Sequence, residues 1–366
     1  MNESAALALL LERGQLTRNE LRALTGLSKP TVSDALRRLA EADLAVVVGH
    51  VSGGPGPNAE VYAANPAAAA TAAVSVRAGD DRPALAAALC DLSGTVRARM
   101  ERPVDLARTD PVDALPEVHA ALLEEAAVDR VDRLQLGVAG AYDARTATIH
   151  HVDVPGFARP GLVAAIADRL GTDIAVDNDV NLAAIAERRH GVARDADSFA
   201  LVWFGEGLGL AIDLGAGGLL RGARGGAGEI GYLPLYPPAH TGDLQDLIGG
   251  TAVVGLAAAH GHRGRTPEEA VAAGAHDPEF LAALAERMAV ALAPVVAVLD
   301  PPLVVLAGPV ALSGGAALRD AVVTAMRRAA PLETAVEVTG VSDDAVLLGA
   351  LNAGLVAVRE RLLTSR

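Results

Sequence analysis

Gly225-Gly226-Ala227-Gly228-Glu229-Ile230-Gly231-Tyr232 closes the most glycine-dense part of this 366-residue chain. Ahead of it stand Gly205-Glu206-Gly207-Leu208-Gly209, Gly215 to Gly218 and Arg221-Gly222. Such density has two physical readings. A backbone without Cβ can approach a ligand closely, or it can adopt the positive φ that a tight β-hairpin needs. Glu229 follows a run of small residues, a placement that suits a ligand-facing carboxylate better than an ordinary hairpin position.

Outward from this segment the chain alternates apolar strand-like runs with helical ones. The strand-like runs are 84–91, 133–139, 173–176, 199–204, 210–214 and 303–307, and the helical ones are 111–127, 160–170, 180–190, 277–299 and 316–328. Alternation of this kind predicts an α/β body, here of two lobes. Length agrees, since about 150 residues per domain gives two or three domains. Hydrophobic residues make up 51% of the chain, but only nine are aromatic, so the core is expected to be built from Ala, Val and Leu. That composition excludes disorder and collagen. No repeat of 20 to 50 residues is visible, which argues against a solenoid.

Two further segments join the glycines: Asp177-Asn178-Asp179-Val180-Asn181-Leu182-Ala183-Ala184 upstream, and Asp300-Pro301-Pro302-Leu303-Val304-Val305-Leu306-Ala307-Gly308 downstream. Together the three resemble the ROK family (repressors, open reading frames, kinases) over about the whole chain. The resemblance implies an actin-like, two-lobed sugar-kinase fold with a sugar site. Its Asn-Asp pair falls on Asn178 and Asp179, the latter being the base in family kinases, and its Gly-Glu-Ile-Gly-His glutamate falls on Glu229. A carboxylate and an amide accept from and donate to adjacent hydroxyls in fixed directions, which is the chemistry a sugar site wants. Capping of a helix beginning near Val180 is the other reading of Asn178 and Asp179, because both residue types are favoured N-caps.

Three departures from the family pattern bear on function. Where family kinases open with an Asp-x-Gly-Gly-Thr phosphate loop, this chain reads Val76-Arg77-Ala78-Gly79-Asp80-Asp81-Arg82. A phosphate would there meet two carboxylates instead of free backbone N–H donors, which argues against phosphoryl transfer. The family histidine after Glu-Ile-Gly is replaced by Tyr232, and its Cys-x-Cys-Gly-x-x-Gly-Cys cluster is absent, the region reading Leu233-Pro234-Leu235-Tyr236-Pro237-Pro238-Ala239-His240. That histidine and those thiolates are the zinc ligands in the resembled proteins, so no metal and no cofactor is expected. His240 with Asp243 or Asp246 reads more simply as a polar surface loop. His150 and His151 lack a nucleophile motif and read as structural or exposed, and Cys90, alone in an apolar strand, reads as core.

The first 65 residues carry a separate signal. Thr17 and Glu20 have the spacing of a capping box that starts a helix near Arg18. The helix stops at Gly26, and Ser28 with Pro30 opens another whose Val32, Ala35, Leu36 and Leu39 share one face. Strand-like runs at 45–51 and 60–64 flank the breaker cluster 52–58 and complete a winged helix-turn-helix. Between Thr17 and Ala40 five cations face two acids, although the whole chain has a net charge of −14. The overall charge excludes non-specific nucleic-acid binding, so any DNA contact must be local. Lys29, Ser33 and Arg37 lie at i, i+4 and i+8 opposite the apolar face. Ser28 and Thr31 sit at the helix start, and these five are the expected DNA contacts. The wing tip has no arginine for the minor groove, and only His50 nearby could become cationic.

These observations predict a winged helix-turn-helix over 1–65, a linker over 66–73 and a ROK-like body over 74–366. Its first lobe is expected over about 74–190 plus the C-terminal helix, and its second over about 191–345. The N-terminus lacks a basic region followed by a cleavage site, and no 18-residue stretch is free of charge and turn-formers. The expectation is a cytoplasmic, non-enzymatic, dimeric or tetrameric transcriptional regulator that binds operator DNA. It would respond through Asn178, Asp179 and Glu229 to a sugar or sugar phosphate, or to no ligand. A sugar kinase with a DNA-binding appendage is the rival.

Overall fold

The computed structural model describes residues 2–51, 59–77, 84–151, 154–235, 242–329, 333–341 and 344–365. The wing tip, the phosphate-loop counterpart at 78–82 and His240 therefore lie outside the described residues. The protein is mixed α/β, and its chain divides into two compact units. One gathers Met1–Leu136, Val163–Val176 and Ala350–Arg366, and the other Gly137–Leu162 and Asp177–Gly349.

The first unit opens with three helices, Asn2–Arg13, Arg18–Thr25 and Lys29–Glu41, and a three-stranded sheet in the order Leu16–Thr17, Ala59–Ala64, Ala45–Val51. The local chemistry read from sequence is in place. Thr17 and Glu20 form a reciprocal capping box, with the Glu20 carboxylate accepting from the Thr17 N–H at 2.7 Å, and Gly26 ends the second helix in the left-handed conformation. Ser28 caps the third helix, its hydroxyl accepting from the Thr31 N–H at 3.3 Å. Val32, Ala35, Leu36 and Leu39 are buried against Leu7, Leu10 and Leu21.

Pro66–Ala68 then forms a single 3-10 turn, capped by Asn65, and a strand starts at Ala70, inside the span read from sequence as linker. That strand sits at the centre of a five-stranded sheet in the order Ile174–Asn178, Arg133–Val138, Ala70–Arg77, Ala84–Asp91, Val96–Pro103. The middle strands bury nearly every side chain, which is why they read as continuous apolar runs. Val96–Pro103 lies along the sheet's edge, where Arg97, Arg99 and Glu101 are exposed and alternate with Ala98, which is buried, and Met100, which is partly buried. Cys90 is buried in the sheet, where desolvation pushes its thiol up to about 12. It is inert core.

The second unit is organised on a four-stranded sheet, Leu208–Asp213, Phe199–Phe204, Leu303–Ala307, Ala335–Val338. The helices Pro278–Leu299 and Gly308–Ala329 pack on it through Phe280, Leu284, Met288, Leu292, Leu318 and Val322. Pro278–Leu299 is long and apolar enough to cross a membrane, but half of that window is buried among core side chains. The helix Asp179–His190 is held at its far end by Glu187, which is fully buried and accepts from the Val192 N–H at 2.6 Å, the Gly340 N–H at 3.1 Å and the Thr339 hydroxyl. Three donors satisfy the carboxylate and fix the helix whose other end carries Asn178 and Asp179.

Candidate functional site

In the second unit the sugar-site candidates are assembled by two backbone devices. The strand Ile174–Asn178 ends in Asn178, whose side-chain oxygen accepts from the Val180 and Asn181 N–H groups at 2.8 and 3.2 Å. Asn178 is thus the N-cap of the Asp179–His190 helix, and its amide also donates to the Gly140 carbonyl at 3.2 Å. One amide hydrogen remains for a ligand. Asp177 braces the same corner, accepting from the Asn178 N–H at 3.0 Å, from the Asn181 amide at 3.2 Å and from two nitrogens of Arg221 at 2.6 and 3.0 Å.

The glycine loop is the second device. Gly228 has φ +94°, and a Cβ there would lie 1.8 Å from the Leu210 carbonyl oxygen. Gly225 has φ +78°, and a Cβ would lie 2.1 Å from the Tyr142 carbonyl oxygen. Both the twist and the close approach therefore require glycine, and at these positions the density has a packing cause. The loop lies against the strand Leu208–Asp213 and against the hairpin Ala141–Asp143/Thr148–His150. It leads into a 3-10 turn at Ile230–Tyr232 with Glu229 at its start.

Asp179 and Glu229 are brought together here. Burial pushes the Asp179 carboxyl up to about 7, and the negative charge of Glu229 adds to the rise. Glu229 is also raised, by burial, while His151 opposes that rise. A negative charge on Glu229 makes ionisation of the buried Asp179 costlier still. His151, read from sequence as structural or exposed, is exposed but not remote: its ring lies 5.1 Å from that of Tyr232, tilted by 49°. Sequence reasoning missed it because no local motif links residue 151 to residue 229. His150 is exposed at the hairpin end.

Among the described residues no three His, Cys, Asp or Glu side chains gather to hold a metal ion. Asp243 and Asp246 form a reciprocal capping box at the start of the helix Leu244–Ile248, each accepting from the other's backbone N–H.

The DNA-contact candidates lie in the first unit, on and before the helix Lys29–Glu41. Ser28 and Thr31 share a hydroxyl hydrogen bond of 2.7 Å at its N-terminus, Lys29 is exposed and Ser33 is partly buried. Arg37 is exposed but engaged, at 2.6 Å from both Asp34 and Glu41, and Arg38 reaches Glu3 and Asp34. Arg37 in turn holds the Asp34 carboxyl below the usual range. Arg18 is tied to Glu60 and Tyr62 at the base of the wing.

The chain belongs to the ROK family, whose family pattern matches residues 73–355. Over its full length it is similar in fold to a ROK transcriptional regulator, a homologue of the E. coli Mlc protein, with a TM-score of 0.76 at 20% identity, covering 100% of this chain and 97% of that one. It is also similar to the ROK hexokinase of Thermus thermophilus, with a TM-score of 0.65 at 27% identity, but that match covers 80% of this chain and 99% of the other. By sequence it is 36% identical over 149 residues to the bifunctional enzyme NanE/NanK of Brucella suis, and 32% identical over 119 residues to an N-acetyl-D-glucosamine kinase of Vibrio vulnificus. These stretches cover 40% and 32% of this chain and only 28% and 39% of the relatives.

Proposed function

We propose that this protein is a DNA-binding transcriptional regulator whose ROK body binds a polyhydroxylated effector and does not phosphorylate it. The observation that carries this reading is the winged helix over Asn2–Ala64, joined to a full-length likeness to a ROK regulator. The hexokinase match leaves a fifth of this chain unaccounted for, a share about the size of the winged helix. The replaced phosphate loop in the sequence supports the absence of kinase chemistry, because Asp80 and Asp81 would repel a nucleotide phosphate. One winged helix reads few base pairs, so a homodimer or homotetramer would pair two of them on an inverted repeat in the cytoplasm.

In this reading Ser28, Lys29, Thr31, Ser33 and Arg37 meet DNA. Asn178, Asp179 and Glu229 hold the effector. Binding of either partner changes the affinity for the other by a common factor, about 5- to 150-fold for couplings of this kind. The test is selection of a binding site from randomised duplex, followed by gel shift with and without glucose, N-acetylglucosamine and N-acetylmannosamine. A selected inverted repeat is expected, and failure to enrich any sequence would sink the reading.

A second reading, a sugar kinase, is favoured by the kinase names of the sequence relatives and by Asp179, whose carboxyl near 7 suits a general base. Turnover of ATP and magnesium with any of these sugars above the enzyme-free control would select it.

A further inference from the structure

Asp179 and Glu229 are acceptors when ionised, and Asn178 has one amide hydrogen left after its cap and its bond to Gly140. A sugar hydroxyl that donates to a carboxylate still has lone pairs to satisfy, so the site needs donors. One imidazole is delivered to it by the fold. The hairpin Ala141–Asp143/Thr148–His150 is clamped to the glycine loop where Gly225 meets the Tyr142 carbonyl. Residue 151 leaves that hairpin with φ +53°, a conformation few non-glycine residues adopt and one that costs about 1 to 2 kcal/mol. That turn sets the exposed ring against Tyr232, which sits three residues after Glu229 on the 3-10 turn. Unusual backbone held in place by its surroundings clusters at functional sites.

We propose that His151 is the ligand-facing donor of this site. It gives a hydrogen bond to a hydroxyl of an uncharged polyol held by Asp179 and Glu229, with the Tyr232 ring setting the orientation of the imidazole. The ligand is uncharged because an anionic sugar would bring a further negative charge to a corner where burial already makes ionisation of both carboxyls costly. This assignment rests on the reading of the site as sugar-binding.

The experiment is calorimetric titration of the full chain with glucose, N-acetylglucosamine, N-acetylmannosamine and glucose 6-phosphate. The variants are His151→Asn, Tyr232→His and the double variant. Asparagine tolerates a positive φ, so His151→Asn removes the imidazole while keeping the turn. The expected result is that a sugar bound by the wild type binds His151→Asn about tenfold more weakly, with an unchanged thermal midpoint. The double variant, which restores an imidazole at the ring that His151 touches, regains most of the loss. Affinity within twofold of wild type in His151→Asn, with affinity lost in Glu229→Gln, overturns the role of His151 and leaves the sugar site standing. Tighter binding of glucose 6-phosphate than of the neutral sugars overturns the uncharged ligand. Absence of binding by the wild type overturns the sugar site and this assignment with it.

Discussion

The winged helix is assembled from neighbours in sequence, and the glycine-loop site from strangers. In the former, capping box, αL stop and N-cap each act on residues three or four positions away, and the buried face of the third helix is marked by that same spacing. In the latter, Asp179, His151 and the Glu229–Tyr232 turn come from three separate stretches that meet only because a sheet and two glycines force them together. The two regions also hold charge differently. Arg37 and its partners are exposed, so each ion pair is worth between about 0 and 1 kcal/mol. Asp179 is desolvated, and its charge costs the empty protein free energy that a ligand's hydroxyls could offset. Exposed pairs are cheap to break, whereas a desolvated charge is costly to hold.

The contrast can be broken most severely in the winged helix core. Leu36→Ala, at a site 1% exposed, is expected to cost about 2 to 5 kcal/mol, seen as a lowered denaturation midpoint and loss of operator binding. A loss well under 1 kcal/mol would mean the helix is not held by this face.

Asp179→Asn probes the other side. A carboxyl whose folded pKa lies near 7, against an ordinary value of 3.8, keeps its proton in the folded state over a range where the unfolded chain has lost it. The folded state then binds more protons, so stability falls as pH rises from about 4 to 7, by at most about 4 kcal/mol. Asparagine carries no charge at any pH, so the variant should lose this slope and be more stable than wild type at pH 8. Parallel Tm profiles of the two proteins from pH 4 to 8 would show instead that Asp179 ionises normally.

Arg37→Ala returns to the helix Lys29–Glu41. It should weaken binding to the selected operator by about 1 to 3 kcal/mol if Arg37 reads a guanine, or uniformly with a shallower salt slope if it touches phosphate. Stability should hardly change, since the pairs it loses are exposed. Unchanged gel-shift titrations would remove Arg37 from the interface. The smallest effect is expected from Ser28→Ala, about 1 kcal/mol of stability through the lost N-cap, measured by urea denaturation.

Legibility in the sequence followed the same division. The helix starts at Arg18 and Lys29, the buried face of the third helix and the apolar strands Ala84–Asp91 and Leu303–Ala307 rest on short-range patterns and were readable. The C-terminal helix was expected without bounds, and the structure gives it as Ala345–Thr364. The edge strand Val96–Pro103 and the helices 244–248 and 250–259 were not read: the strand's short alternation is crowded with charge, the first helix has only five residues, and the second is apolar on all sides, so no helical periodicity announces it. For the candidate site, Asn178, Asp179 and Glu229 were named from a motif, and the capping role of Asn178 was legible in its residue type. The approach of His151 to Tyr232 was not, because it depends on a two-stranded hairpin and a glycine contact that leave no mark at residue 151 itself. The pinning of Arg37 by Asp34 and Glu41 was available at i, i+3 and i+4 spacing, and charge counting alone passed over it.

The last helix of the chain, Ala345–Thr364, places Val358, Leu362 and Leu363 against the first helix and the turn at Pro66–Ala68, where Leu11, Ala68, Ala69 and Leu92 complete a small apolar cluster. The winged helix is therefore not a plug-in cassette. A chimaera that grafts a foreign reading module onto this body, or exports this one alone, inherits only half of a seam whose other half is written some 290 residues later. Transplants that carry matching residues at 11, 68, 358 and 362 should express as single folded species, whereas cut-and-paste fusions at residue 65 should aggregate or be clipped there.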